Sequence, residues 1–235
     1  MQAVFLDDDD KVRAFIAAVS KPRLTRYLQA TQGNEREALR LYHWNSQLSQ
    51  ALYLPLQSWE IVLRNKINDF FTFKYRTPKW HDSPQAIRNF NGNDRRRLDD
   101  TVKRLVRDMA PNAPTNDQIV ADLSAGFWVS QFGSDYAAQY GWKNNLKFRV
   151  FTNDHSIGRE YADDACNDLL VLRNRVAHHE PIYHLDLAAL RSALDVLLVG
   201  MCGATANYMA SACSFESIWN ARPIIGAAAP ALPSR

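Results

Sequence analysis

From Glu35 to Tyr75 the chain has no glycine and a single proline, Pro55. Glycine and proline are the residues that most readily end a helix, so this stretch has few places to turn. Leu39, Tyr42, Leu48, Leu52, Leu56, Trp59, Val62, Leu63, Ile67 and Phe70 recur along it at helical spacing. The pattern predicts two helices, or one long helix kinked at Pro55. Tyr42, Trp44 and Tyr53 read as core side chains in preference to base-stacking platforms, because such rings bury much apolar surface. No period-two strand pattern occurs anywhere, so the expected fold class is all-α.

The length suffices for one large domain or two small ones. The chain has 235 residues, 46% hydrophobic and 23% charged, which is ordinary for a globular protein with a sizeable core. The net charge of +3 permits nucleic-acid binding through a local patch without arguing for it. Cys166, Cys202 and Cys213 are odd in number and widely spaced, which predicts free thiols in a reducing compartment. The N-terminus carries four aspartates, Asp7 to Asp10, in place of a basic region and a long apolar run, so a cytoplasmic protein is expected. Val196 to Phe215 has no charge, but Gly200, Gly203, Asn207 and Ser211 make it too polar for a membrane span, and it reads as a buried helix.

Along the chain, residues 1–225 read as one domain and Gly226 to Arg235 as a loose tail. The acidic run opens a first helix, Ser20 is placed to cap a second, and Asn34 is placed to cap the long stretch. Pro84 to Arg88 predicts one short helix and Asp94 to Met109 a charged one. Arg95, Arg96, Arg97, Lys103 and Arg104 could touch RNA phosphates, but Asp94, Asp99, Asp100 and Asp108 dilute that charge, so a solvated face is the preferred reading. Thr115 or Asn116 caps a helix running through Phe132. A motif helix is expected from Ile157 to His178, and a last long one from Leu185 to Cys213.

The chemistry concentrates in Leu172-Arg173-Asn174-Arg175-Val176-Ala177-His178-His179-Glu180-Pro181. Arginine forks onto phosphate oxygens, and histidine both takes and gives a proton near neutral pH. With no carboxylate cage for a metal, the combination suits metal-independent phosphodiester chemistry. Arg173 and His178 are five residues apart, roughly 140° of rotation on an ideal helix. The competing reading is structural: basic residues favour a helix C-terminus, and a proline just beyond is an ordinary stop. His179-Glu180 lacks the second histidine of a zinc-protease helix, and His178, His179 and His184 make only a weak metal set. Upstream, Glu60 and Arg64 stand at i and i+4, a surface ion pair or, with Asn65, supporting groups turned toward Arg173 and His178.

This block resembles the best-marked segment of the Abi-like (abortive infection) proteins, a branch of the HEPN superfamily. Leu41-Tyr42-His43-Trp44-Asn45, Glu60-Ile61-Val62-Leu63-Arg64-Asn65 and Phe127-Trp128 are similar to the family's earlier blocks in the same order, so the resemblance spans roughly residues 20–200. It implies a HEPN-like helical bundle with additional helices and a metal-independent endoribonuclease, in phage defence or as a toxin, that needs no cofactor. It further implies attack by the RNA 2′-hydroxyl, with Arg173 on the scissile phosphate, His178 as general acid or base, and Asn174 orienting the phosphate or the arginine. His179, Glu180, Glu60, Arg64 and Asn65 would support them. RNA, a second copy completing the site, and an antitoxin or regulatory protein are the implied partners, with no membrane. The alternative is a non-catalytic HEPN domain that binds RNA or a protein. Some HEPN toxins place a modifiable tyrosine two residues after the histidine; Glu180 stands there, so a modifying partner is not implied.

Overall fold

The computed structural model describes residues 5–225; the tail expected over residues 226–235 lies outside the described residues. Among the described residues there are thirteen α-helices, one short 3-10 turn and no strand, so the fold is all-α. The chain divides into two compact units: Met1–Tyr53 with Arg175–Leu185 and Cys213–Arg235, and Leu54–Asn174 with Asp186–Ala212.

The first unit begins with α1 (Asp9–Val19) and α2 (Lys21–Ala30). The acidic run does what its position suggests: Asp8 Oδ1 accepts from the backbone of Asp10 and Lys11, each at 3.1 Å, as the N-cap of α1. Ser20 was expected to cap α2 and does not. Its N–H closes α1 on the Ile16 carbonyl, it sits at φ 80°, and its side chain makes no capping bond. The long stretch is a single helix, α3 (Glu35–Tyr75), with Pro55 inside it. Asn34 Oδ1 caps it, accepting from Glu37 N at 3.2 Å.

In the first unit α3 buries Leu39, Leu41, Trp44, Leu48 and Leu52. Trp44 packs 5.8 Å from Trp219 on α13 (Phe215–Asn220), and its indole N–H donates to the Ile218 carbonyl at 2.8 Å. Tyr27 sits between Tyr42 and Tyr183, at 5.4 and 5.3 Å. Tyr53 departs from the expectation: it is 60% exposed and belongs to no core.

In the second unit α3 buries Leu56, Trp59, Leu63, Ile67, Phe70 and Phe71. A 3-10 turn (Trp80–Asp82), α4 (Pro84–Asn89) and α5 (Gly92–Met109) follow. Then come α6 (Asn116–Asp122), α7 (Ala125–Ser130), α8 (Ser134–Tyr140) and α9 (Leu146–Val150). Phe71, Trp80, Phe90, Phe127 and Trp128 are buried together, with Phe71 4.8 Å from Trp80 and Phe127 5.0 Å from Trp128. Each such ring contributes about 2–3 kcal/mol by leaving water.

Two predicted helices are broken. The segment capped by Thr115, which forms a capping box with Gln118, stops at Asp122; extended Leu123 separates α6 from α7, and both Leu123 and Phe127 are buried. The last long helix becomes α11 (Leu187–Met201) and α12 (Gly203–Ala212), parted at Cys202, whose backbone is extended. Only α11 is substantially buried; in α12 Met209 is buried and Tyr208 is exposed. Among the described residues no helix is long and apolar enough to cross a membrane.

Asp94 corrects the reading of α5 as a uniformly solvated charged face. It is fully buried, and four donors converge on its carboxylate: Ser130 Oγ at 2.7 Å, Gln131 Nε2 at 3.2 Å, the Tyr136 hydroxyl at 2.7 Å and Arg97 Nη1 at 2.8 Å. Burial raises the Tyr136 hydroxyl above the usual tyrosine range, keeping it a donor. Asp94→Ala leaves these donors without an acceptor and is expected to lower stability to urea by about 3 kcal/mol or more. Lys103→Ala, on the exposed side of the same helix, is expected to change it by no more than about 0.5 kcal/mol.

Candidate functional site

The helix that carries the charged block, α10, runs Arg159–Ala177 and stops inside it. In the first unit the stop has a defined geometry. Glu180 N donates to the Arg175 carbonyl at 2.8 Å and His179 N to the Val176 carbonyl at 3.2 Å. These are the paired bonds of a Schellman cap, with His178 at the C-cap and His179 just past it. His179 has φ +58°, the left-handed conformation that glycine usually supplies there. A side chain with a Cβ costs about 1 kcal/mol in that position.

What holds the turn is a set of polar groups from the same unit. Asn45, buried on α3, accepts through Oδ1 from Ile182 N at 2.7 Å and Tyr183 N at 3.1 Å. Arg23 Nη1 donates to the His179 carbonyl at 3.1 Å. Arg175 Nη1 lies 3.5 Å from Glu180 Oε2 and donates to the Pro181 carbonyl at 3.4 Å. Arg175 and Glu180 are thus occupied in shaping the turn. His178 and His179 are exposed, and neither ring has a hydrogen-bond partner among the described residues. His184, the third histidine here, accepts from Arg26 Nη1 at 3.4 Å, and burial, Arg26 and Arg175 push its pKa below the ordinary histidine value.

In the second unit the arginine is held by an acid. Arg173 Nε donates to Glu60 Oε2 at 2.8 Å and Nη2 to Glu60 Oε1 at 3.4 Å, while Nη1 reaches Asn174 Oδ1 at 3.4 Å. A guanidinium has five N–H groups, so this arrangement engages three and leaves the rest of the fork available. The side chains are 37% and 21% exposed, and a pair so open contributes about 0–1 kcal/mol to stability. Its consequence is orientation: a long side chain is fixed with a charged edge still toward solvent.

No family model, curated protein or solved structure matches the chain. The chemistry therefore rests on the side chains themselves.

Of the predicted supporting residues, Glu60 meets Arg173, so it is not the i,i+4 partner of Arg64. Arg64 instead donates to the Ala121 carbonyl at 3.1 Å, tying α3 to the end of α6. Asn65 is exposed and makes no side-chain hydrogen bond among the described residues. Among the described residues no group of three or more His, Cys, Asp or Glu could hold a metal ion.

Asn45 escaped the sequence reading as a site residue. The signal was present: it lies four residues after Leu41 and three before Leu48, a lone amide on a buried face. Beside it runs a groove of about 600 Å³, floored by Tyr42, Asn45, Ser49 and Tyr53 of α3 and bounded by Ala177 and His179. Its mixture of hydroxyls, amide and aromatic rings suits a base or a short polar strand.

Two substitutions test the turn. His179→Gly relieves the left-handed strain and is expected to raise stability by about 1 kcal/mol, read as a higher melting temperature. Asn45→Ala strands two backbone N–H groups and is expected to lower it by about 2 kcal/mol.

Proposed function

We propose that the chain is an Abi-like protein of the HEPN superfamily, a cytoplasmic, metal-independent endoribonuclease acting in phage defence or as a toxin. The observation that carries the reading is how the two reactive types are presented. Glu60 holds Arg173 by one edge, leaving N–H groups for a phosphate. Five residues later His178 stands exposed at the C-cap of the same helix, its ring uncommitted.

In this reaction a base removes the proton of a ribose 2′-hydroxyl, and the oxygen attacks the adjacent phosphorus. The 5′-oxygen leaves with a proton from an acid, and a 2′,3′-cyclic phosphate remains. His178 serves as the base or the acid, since an imidazole near neutral pH does either. Arg173 stabilises the charge that develops on the phosphate oxygens. Asn174 orients the phosphate or the arginine. His179 and Glu180 keep the turn that places His178, and the groove beside Asn45 takes neighbouring nucleotides. A second copy of the chain supplies the other half of the acid–base pair; Val171, two residues before Arg173 and 54% exposed, is an apolar side chain such a partner would cover. An antitoxin or regulatory protein would act on the same surface.

The second reading is a HEPN domain that binds RNA or a protein without cleaving it. The ion pair itself favours it, because Glu60 already compensates the Arg173 charge.

Incubating the purified protein with mixed RNA and EDTA, beside His178→Ala, separates the two. The nuclease reading expects cyclic-phosphate ends from the wild type and a loss on the order of 10²–10⁴-fold in the variant. The binding reading expects no cleavage by either protein, RNA affinity nearly unchanged by His178→Ala, and affinity lost with Arg173→Ala. Equal cleavage by both proteins defeats the assignment to His178.

A further inference from the structure

The groove beside Asn45 lies within the first unit, and its chemistry is more specific than its size of about 600 Å³. One side chain decides it. Asn45 is only 4% exposed, and two backbone N–H groups, of Ile182 and Tyr183, converge on a single atom of its amide. An atom that accepts from two donors is the oxygen, so the amide has one orientation and its NH2 is turned the other way. Nδ2 makes no hydrogen bond among the described residues. Trp59 Nε1 and Trp128 Nε1 are also without partners, but they are sealed in the core. Asn45 Nδ2 is not sealed, and the open space that Asn45 lines is this groove. A nearly buried amide thus presents fixed N–H donors in the groove wall, and such a group calls for an acceptor on a ligand.

The neighbouring hydroxyls are acceptors. Ser46 Oγ donates its proton to the Tyr42 carbonyl and Ser49 Oγ to the Asn45 carbonyl, each at 3.0 Å. A hydroxyl whose proton is spent on its own helix offers only lone pairs outward. Asn45, Ser49 and Tyr53 follow at intervals of four residues, so donor, acceptor and ring share one face of α3. The Tyr53 ring, 60% exposed, supplies a flat apolar surface beside them. No lysine, arginine, aspartate or glutamate lines the groove. The wall therefore fits an uncharged planar group with an acceptor beside a donor on its edge.

We propose that the groove is a base-reading subsite, taking one unpaired nucleobase with its edge toward Asn45 and Ser49 and its face on Tyr53. Asn45 Nδ2 donates to a ring nitrogen or carbonyl of the base. Ser49 Oγ accepts from its amino or imino N–H, and Tyr53 stacks. The inference rests on the reading that RNA is the ligand, and it adds a selection rule. The chain chooses its RNA by one base set beside the His178 turn, not by phosphate contacts alone.

The test is binding of the full chain to four 2′-O-methyl tetranucleotides, each of a single base, and to an abasic strand of the same charge. A 2′-O-methyl group does not attack phosphorus, so binding is read without cleavage. The expected result is one base bound at least about tenfold more tightly than the abasic strand. Added salt should leave that ratio unchanged, because the lining carries no charge. Tyr53→Ala, a change at an exposed side chain, is expected to lower affinity for the preferred base by about tenfold and to leave the abasic strand unaffected. Asn45→Asp keeps an oxygen for the turn and replaces the N–H donors by an acceptor, so the preference is expected to vanish or move to another base. Ser49→Ala, which leaves the turn untouched, is expected to weaken the preference in the same assay. Equal affinity for the abasic strand overturns the proposal, as does a preference that Tyr53→Ala and Ser49→Ala both leave intact. A free nucleoside that binds as tightly as the strand overturns the assignment to RNA. Base-selective binding by a protein that leaves ordinary RNA uncut defeats the nuclease reading alone. Cutting without base-selective binding defeats the base-reading subsite alone.

Discussion

One helix of 41 residues, α3, supplies buried side chains to both compact units. A helix of that length is not stabilised by propensity alone; its apolar face has to be covered along its course. The covering differs in kind. In the first unit Trp44 packs on Trp219 and donates to the Ile218 carbonyl, and Tyr42 meets Tyr27. In the second, Phe70 and Phe71 meet a cluster of aromatic rings. Pro55 removes one hydrogen bond from the ladder without ending the helix, because packing on either side outweighs that loss.

The polar residues on α3 matter as much as the apolar ones. Asn45 holds two backbone N–H groups of the turn after α10, and Glu60 holds the Arg173 guanidinium. In each case a polar group on the long helix fixes a polar segment far away in sequence. The strained backbone of His179 persists for the same reason: three separate side chains, Asn45, Arg23 and Arg175, over-determine the turn.

Asp94 shows how a charge can be misjudged from composition. Among Arg95, Arg96, Arg97, Asp99 and Asp100 it looks like one more solvated group. Yet it is the buried centre of four hydrogen bonds, while its neighbours Arg95 and Arg96 line a cavity. Helical rotation sends residues one apart in sequence about 100° apart on the cylinder, so a charge run has no single fate.

Local rules decided much of this protein directly from its sequence. Periodicity marked the long helix; the Asp7–Asp10 run, Asn34, and Thr115 or Asn116 marked helix starts; the absence of alternation excluded strands; and the Leu172–Pro181 block stood out by composition. These are properties of neighbours within a turn or two, where spacing along the chain equals spacing in space. Tertiary structure alone decided the rest. It chose Arg173 over Arg64 as the partner of Glu60, 113 residues away, and placed Asn45 under a turn 137 residues later. It broke two expected helices at Leu123 and Cys202. Each of those outcomes depends on which distant surfaces meet, and a buried polar group finds its partner only once they have met.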